Sequence, residues 1–234
     1  MSRNQLTHSQ QISMSSAAGF TLLEMSIVLV IVGVLLGGLI VPFSTQLEAS
    51  KRKGIDVQLS DITEAILGHA AATGRLPCPA TTTSLGLSAP ATATTACTTA
   101  SGFVPARTLG LNGAVDSNLR LLDPWLNPIR YTISTADGGI YTSALRLGIN
   151  SDLTVCLESA CNNVLTNNSV AVVFTPGEGG TVTSSTDELE NLDNDTQFVS
   201  RTFSEATGNE FNDHIVWLSP YTLTFHLVKS GQLN

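Results

Sequence analysis

Gly19-Phe20-Thr21-Leu22-Leu23-Glu24 opens an apolar run that continues from Met25 to Val41 as Met-Ser-Ile-Val-Leu-Val-Ile-Val-Gly-Val-Leu-Leu-Gly-Gly-Leu-Ile-Val, and two of its properties conflict. The run is long and apolar enough for one membrane-crossing helix, which takes roughly 20 residues. Yet Glu24 sets a carboxylate near the start of the stretch that begins at Phe20. An acidic side chain costs roughly 2.5 to 3.5 kcal/mol near a bilayer centre and less toward an edge. The apolar residues that follow return roughly 0.3 to 0.6 kcal/mol each, so the segment still enters lipid. A charge kept in such a place calls for a partner of opposite sign.

The helical pattern continues past the apolar run. Between Ser44 and Gly74 the apolar residues Ile55, Leu59, Ile62 and Ile66 fall at helical intervals, while Asp56, Gln58, Asp61 and Glu64 lie elsewhere on the circumference. Gly74 is a stop signal, and Pro77 and Pro79 prevent continuation. One helix from Phe20 to about Thr73 is expected, kinked by Pro42 and loosened by Gly54. The alternative makes Pro42 a simple break between anchor and domain.

The chain has 234 residues, and only 13% are charged, partly because of the apolar run. The part after about Lys51 is long enough for one globular domain with its own core. A net charge of -8, with basic residues scattered outside Lys51 to Lys53, is no nucleic-acid footprint. All four cysteines, Cys78, Cys97, Cys156 and Cys161, follow the apolar run, which fits two disulfides in an oxidising compartment. Of the three connectivities, Cys78–Cys97 with Cys156–Cys161 is expected because each closes a short polar loop; free thiols are the alternative.

From Leu76 to Gly113 the composition is rich in Thr, Ala, Ser and Pro without a period, and a long loop is expected. Short β-prone runs follow at Ile129 to Ile133, Ile140 to Leu147, Leu153 to Leu157, Val170 to Phe174 and His214 to Leu218, with Asp137-Gly138-Gly139 as a hairpin turn. Tyr221 to Val228 carries two signals. Alternation of Tyr221, Leu223, Phe225 and Leu227 reads as a strand; Ser219, Pro220 and Gly231 read as helix cap, first turn and stop, and a helix is expected.

Gly19-Phe20-Thr21-Leu22-Leu23-Glu24 ahead of an unbroken apolar run resembles the class III signal of type IV pilins and type II secretion pseudopilins. The resemblance implies an α+β pilin-like fold. In it a long N-terminal helix packs on a small antiparallel sheet, with disulfide-stapled loops. It divides the chain into a leader (1–19), a transmembrane and assembly helix (20–43), its amphipathic continuation (44–74) and a periplasmic or extracellular domain (75–234). It also implies cleavage after Gly19 by a prepilin peptidase and methyltransferase, methylation of Phe20, and pairing of Glu24 with the terminal amine of a neighbouring subunit. Storage in a bacterial inner membrane as a single-pass precursor, handling by an assembly platform there and growth into a filament follow from the same likeness. The leader departs from the family pattern: it is polar, and Arg3 is its single basic residue. Because Lys51 to Lys53 lie beyond the run, the orientation rests on the resemblance rather than on charge asymmetry.

The likeness extends to Asp123-Pro124-Trp125-Leu126-Asn127-Pro128, similar to the Asp-Pro-Trp-Gly-Asn-Pro segment that opens the sheet of major pseudopilins, with Leu126 where that pattern has glycine. Major pseudopilins bind calcium in a loop placed like the acidic stretch from Asp187 to Asp195. Calcium takes six to eight oxygen ligands, and Asp187, Glu190, Asp193, Asp195 and Asp213 are the candidates. The stretch lacks the glycine and final glutamate of an EF-hand, and a solvated acidic loop is the alternative. His214 and His226 could face each other, but no nucleophile elbow or phosphate loop accompanies them, and no enzyme is expected. The expected function is a structural filament subunit, of a secretion pseudopilus or as a minor pilin. The alternative is an anchored binding protein that never polymerises.

Overall fold

Ile55, Leu59, Ile62 and Ile66 are buried along one face of α1 (Leu22–Thr73), while Asp56, Asp61 and Glu64 stay exposed, as their spacing implies. The structure, a computed structural model, describes residues 19–91, 96–136, 150–183 and 185–233, and leaves out the side chains of 38–44 within α1. The leader and the strand expected over Ile140 to Leu147, with its Asp137-Gly138-Gly139 turn, lie outside the described residues. The chain divides into two units, Met1–Glu48 and Ala49–Asn234. The helix assignment is unbroken through Pro42. Gly74 ends α1 as its sequence position implies: it takes φ of 71°, and its N–H bonds the Ala70 carbonyl at 2.8 Å.

In the second unit the buried face of α1 meets a four-stranded antiparallel sheet of order β1-β2-β5-β7, made of β1 (Ser101–Phe103), β2 (Arg130–Ile133), β5 (Ala171–Thr175) and β7 (His214–Leu218). Tyr131 pairs with Val173, and Val173 pairs with Val216. A second sheet has order β4-β3-β6, from β3 (Leu153–Cys156), β4 (Val164–Ser169) and β6 (Gln197–Val199). Strand β5 belongs to two cores. Its Ala171 and Val173 join the cluster of α1, whereas Val172 and Phe174 pack with Leu153, Val155 and Phe198. Burial on both faces explains why Val170 to Phe174 reads as a continuous apolar run without alternation.

The expected α+β arrangement, a long helix on an antiparallel sheet, is observed, and a second sheet accompanies it in which β3 and β6 form a parallel pair, Val155 opposite Phe198. The stretch from Leu76 to Gly113 is not a bare loop. It holds β1 and the short α2 (Ala106–Leu109), and Phe103 exchanges backbone hydrogen bonds with Ala80 at 2.8 and 2.9 Å. Leu76, Ala80 and Val104 are buried, anchors too irregularly spaced to register as a period. Both expected disulfides form, Cys78–Cys97 and Cys156–Cys161.

The C-terminal ambiguity resolves as helix. A short α3 (Thr186–Glu190) precedes β6, and α4 (Pro220–Lys229) closes the described chain. The Ser219 hydroxyl accepts the Thr222 N–H at 3.1 Å and Pro220 stands in the first turn, where its missing N–H loses nothing. Leu223 and Leu227 face the α1 core. His214 and His226 do not meet: His214 stacks on Trp125 and lies 3.2 Å from Asp56, while His226 sits edge-on to Phe225.

Candidate functional site

At the start of α1 the Thr21 hydroxyl accepts the Glu24 N–H at 3.2 Å. Thr21 is therefore the helix cap, and Glu24 stands three residues on, in the first turn, where the helix dipole favours an acid. Sequence reasoning gave Thr21 no role, although a threonine three residues before a glutamate is a capping signature. Gly19 and Phe20 lie just outside the helix, and every described side chain from Phe20 to Gly37 is exposed, Leu22 at 89%. Among the described residues no helix is long and apolar enough to cross a membrane. Within the anchor expected over 20–43, Leu22 to Gly37 form a helix whose apolar side chains are exposed. Apolar surface this continuous needs a cover.

The Asp-Pro-Trp segment is built around one carboxylate. Buried Asp123 accepts the backbone N–H groups of Trp125 and Asn127 at 2.9 and 2.8 Å, and its other oxygen takes the Thr175 hydroxyl. Asn127 then donates its side-chain amide to the Gly177 carbonyl at 2.6 Å, tying this turn to the Pro176–Gly180 turn. Gly177 is needed there: with φ of 59°, a Cβ would lie 2.1 Å from the Asn212 carbonyl oxygen. Leu126 keeps the left-handed conformation that glycine would take, with φ of 71°, and 70% of its surface is exposed.

Of the five candidate metal ligands the structure brings three together. Carboxylate oxygens of Glu190, Asp193 and Asp195 all lie within 4.8 Å of one another, at the end of α3 and in the turn after it. Burial raises the Glu190 pKa, and the charges of Asp193 and Asp195 raise it further, although Gln197 donates a hydrogen bond to its carboxylate. Burial, then the neighbouring Asp193, also raises Asp195. The oxygen-only, mutually repelling set is the chemistry a hard divalent cation accepts.

Asp187 and Asp213 are committed elsewhere. Asp187 accepts the Ser159 N–H and sits 2.8 Å from the Arg201 guanidinium. Asp213, 9% exposed, accepts the Asn191 amide at 2.7 Å through one oxygen and leaves the other unpartnered. Burial pushes its pKa up to about 8, with nearby Glu188 adding to the rise and Asn191 opposing it. The loop is braced by the Cys156–Cys161 turn, whose Ser159 carbonyl accepts the Gln197 amide at 2.8 Å.

The apolar surface beginning at Phe20, with a capped Glu24 at its head, is what a known motif describes. Residues 14–40 match the family model of the prokaryotic N-terminal methylation motif. This motif is the class III signal of type IV pilins and pseudopilins, and in this chain it covers residues 14–40. No curated protein and no solved structure matches the chain.

Proposed function

We propose that the protein is a structural filament subunit, stored in the bacterial inner membrane with its C-terminal domain in the periplasm. Prepilin peptidase cuts between Gly19 and Phe20, Phe20 is N-methylated, and Glu24 then pairs with the amine of a neighbouring Phe20 as the helices assemble. The observation that carries this reading is the methylation motif over residues 14–40 together with its setting. Its acid lies in the first helical turn of a segment whose described side chains are all exposed. A paired acid and amine lose far less on leaving water than either alone, so the pair both tolerates the apolar surroundings and fixes the stagger between subunits. The capped start at Thr21 leaves Phe20 outside the helix, where its backbone nitrogen is free of the helical ladder.

The domain reading extends to the acidic loop, where Glu190, Asp193 and Asp195 would supply oxygens to calcium. Asp187 and Asp213 fall outside this group of three oxygens.

N-terminal mass spectrometry of protein from membranes tests the processing: a mature start at methylated Phe20 is expected, and an intact Met1 overturns it. Glu24→Ala then separates an assembling subunit from a tethered binding protein. A subunit loses incorporation into filaments, whereas a tethered binder retains its ligand unchanged.

A further inference from the structure

The outer face of α4 is apolar and uncovered. Tyr221 is 81% exposed and Phe225 63%, and Val228 is exposed with them. Intervals of four and three put these side chains on one stripe, opposite the buried Leu223 and Leu227. Trp217, at the end of β7, is exposed close by in the chain, and Lys229 ends the helix in solvent. No carboxylate among the described residues pairs with Lys229. Helix α4 has its inward anchors already, so its aromatic outer stripe adds nothing to the fold of a lone copy.

A surface of complementary character lies on the same chain. Ser159, Ala160, Thr186, Leu189, Glu190 and Asp193 line a shallow hollow. Leu189 is exposed there, and Asp195 adds a third carboxylate beside Glu190 and Asp193. One surface thus offers an apolar stripe ending in an ammonium; the other offers a hollow lined by Leu189 and crowded carboxylates.

We propose that the α4 stripe of one copy docks into the acidic hollow of a second copy, with Tyr221 and Phe225 covering Leu189 and Lys229 set among Glu190, Asp193 and Asp195. The contact joins two different surfaces, so each copy of a pair keeps its other surface free and the association extends as an open array. Charge complementarity selects this occupant: Lys229 brings an ammonium to three mutually repelling carboxylates when no calcium holds them, so the docked lysine and calcium compete for the same oxygens. The compact, strongly hydrated ammonium of lysine acts at such a site as a point charge.

This inference rests on the filament reading and is tested with the full chain in membranes of a bacterium that has prepilin peptidase. A photo-crosslinker, p-benzoylphenylalanine, replaces the exposed Phe225, leaving Leu223 and Leu227 in place. Crosslinks to a second copy, mapped by mass spectrometry to residues 157–195, are expected. Lys229→Glu is expected to reduce them about tenfold by placing like charges together, and Asp193→Lys in the same chain to restore them. Crosslinks to another region, to an unrelated protein or to nothing overturn the contact, as does indifference to charge reversal. A mature start at methylated Phe20 in the same sample shows that such a failure belongs to the contact and leaves the filament reading standing.

Discussion

Leu126 shows what a single side chain can cost. Its φ of 71° lies in the region that an L-residue with a Cβ enters at about 1–2 kcal/mol, and its exposed side chain gains little in exchange. Leu126→Gly should therefore raise stability by about 0.5–1 kcal/mol, once glycine's extra freedom in the unfolded chain is counted. Denaturant unfolding checks the sign. Asp213 makes a second case, this one governed by pH. Its unfolded carboxyl titrates near about 4, whereas burial holds the folded one near 8. Between those values the folded chain keeps a proton that the unfolded chain has lost, so stability falls as pH rises through the window. Glu190 and Asp195, also raised, act in the same direction. Asp213→Asn should flatten the profile and stabilise the protein at pH 8 by about 1–3 kcal/mol, seen in unfolding curves taken at pH 5 and pH 8. Neither residue's behaviour was legible beforehand. Leu126 stood out as a departure from glycine, but only the backbone shows that the turn kept its left-handed form. Asp213 reads in the sequence as one more candidate oxygen ligand; its hydrogen bond to Asn191 is set by the fold.

Among the elements, the long helix was legible because its information is local. The spacing of Ile55, Leu59, Ile62 and Ile66 fixes the buried face, and Gly74 fixes the end. The same locality made the Ser219-Pro220 start of α4 decisive over the alternation that read as a strand. Strands β1 and β6 were not legible. Each has three residues, too few to show a period, and each is held by a partner distant in sequence, Gly102 by Tyr131 and Phe198 by Val155. The Asp123 hub was hidden for a related reason, since its bond to Thr175 spans the chain from one turn to another strand. Two element-scale outcomes follow. Thr21→Ala removes the cap of α1 and should cost about 1 kcal/mol of local helix stability, detectable as faster amide exchange at Glu24. Calcium at 100 times its Kd should raise unfolding stability by about 2.7 kcal/mol if Glu190, Asp193 and Asp195 hold it. An unchanged Tm on adding calcium removes the metal from this loop, and Asp193→Asn should abolish any rise that is seen.

At the scale of the whole chain, the first unit carries an exposed apolar helical stretch and the second holds two buried apolar clusters. The described side chains from Phe20 to Gly37 find no cover within their unit, whereas Ile55, Leu59, Ile62 and Ile66 are buried in theirs. Alkaline carbonate should therefore leave the full chain with the membrane pellet, and release into the supernatant would refute an integral anchor. Glu24→Ala should stay in that pellet, because removing a charge only favours lipid, while losing assembly.

Strand β5 has a mechanical consequence. Because Ala171 and Val173 serve one core while Val172 and Phe174 serve the other, neither half can come apart without stripping the strand they share. A chain pulled through α1 should hold up to a threshold load and then rupture in one step, both cores failing together.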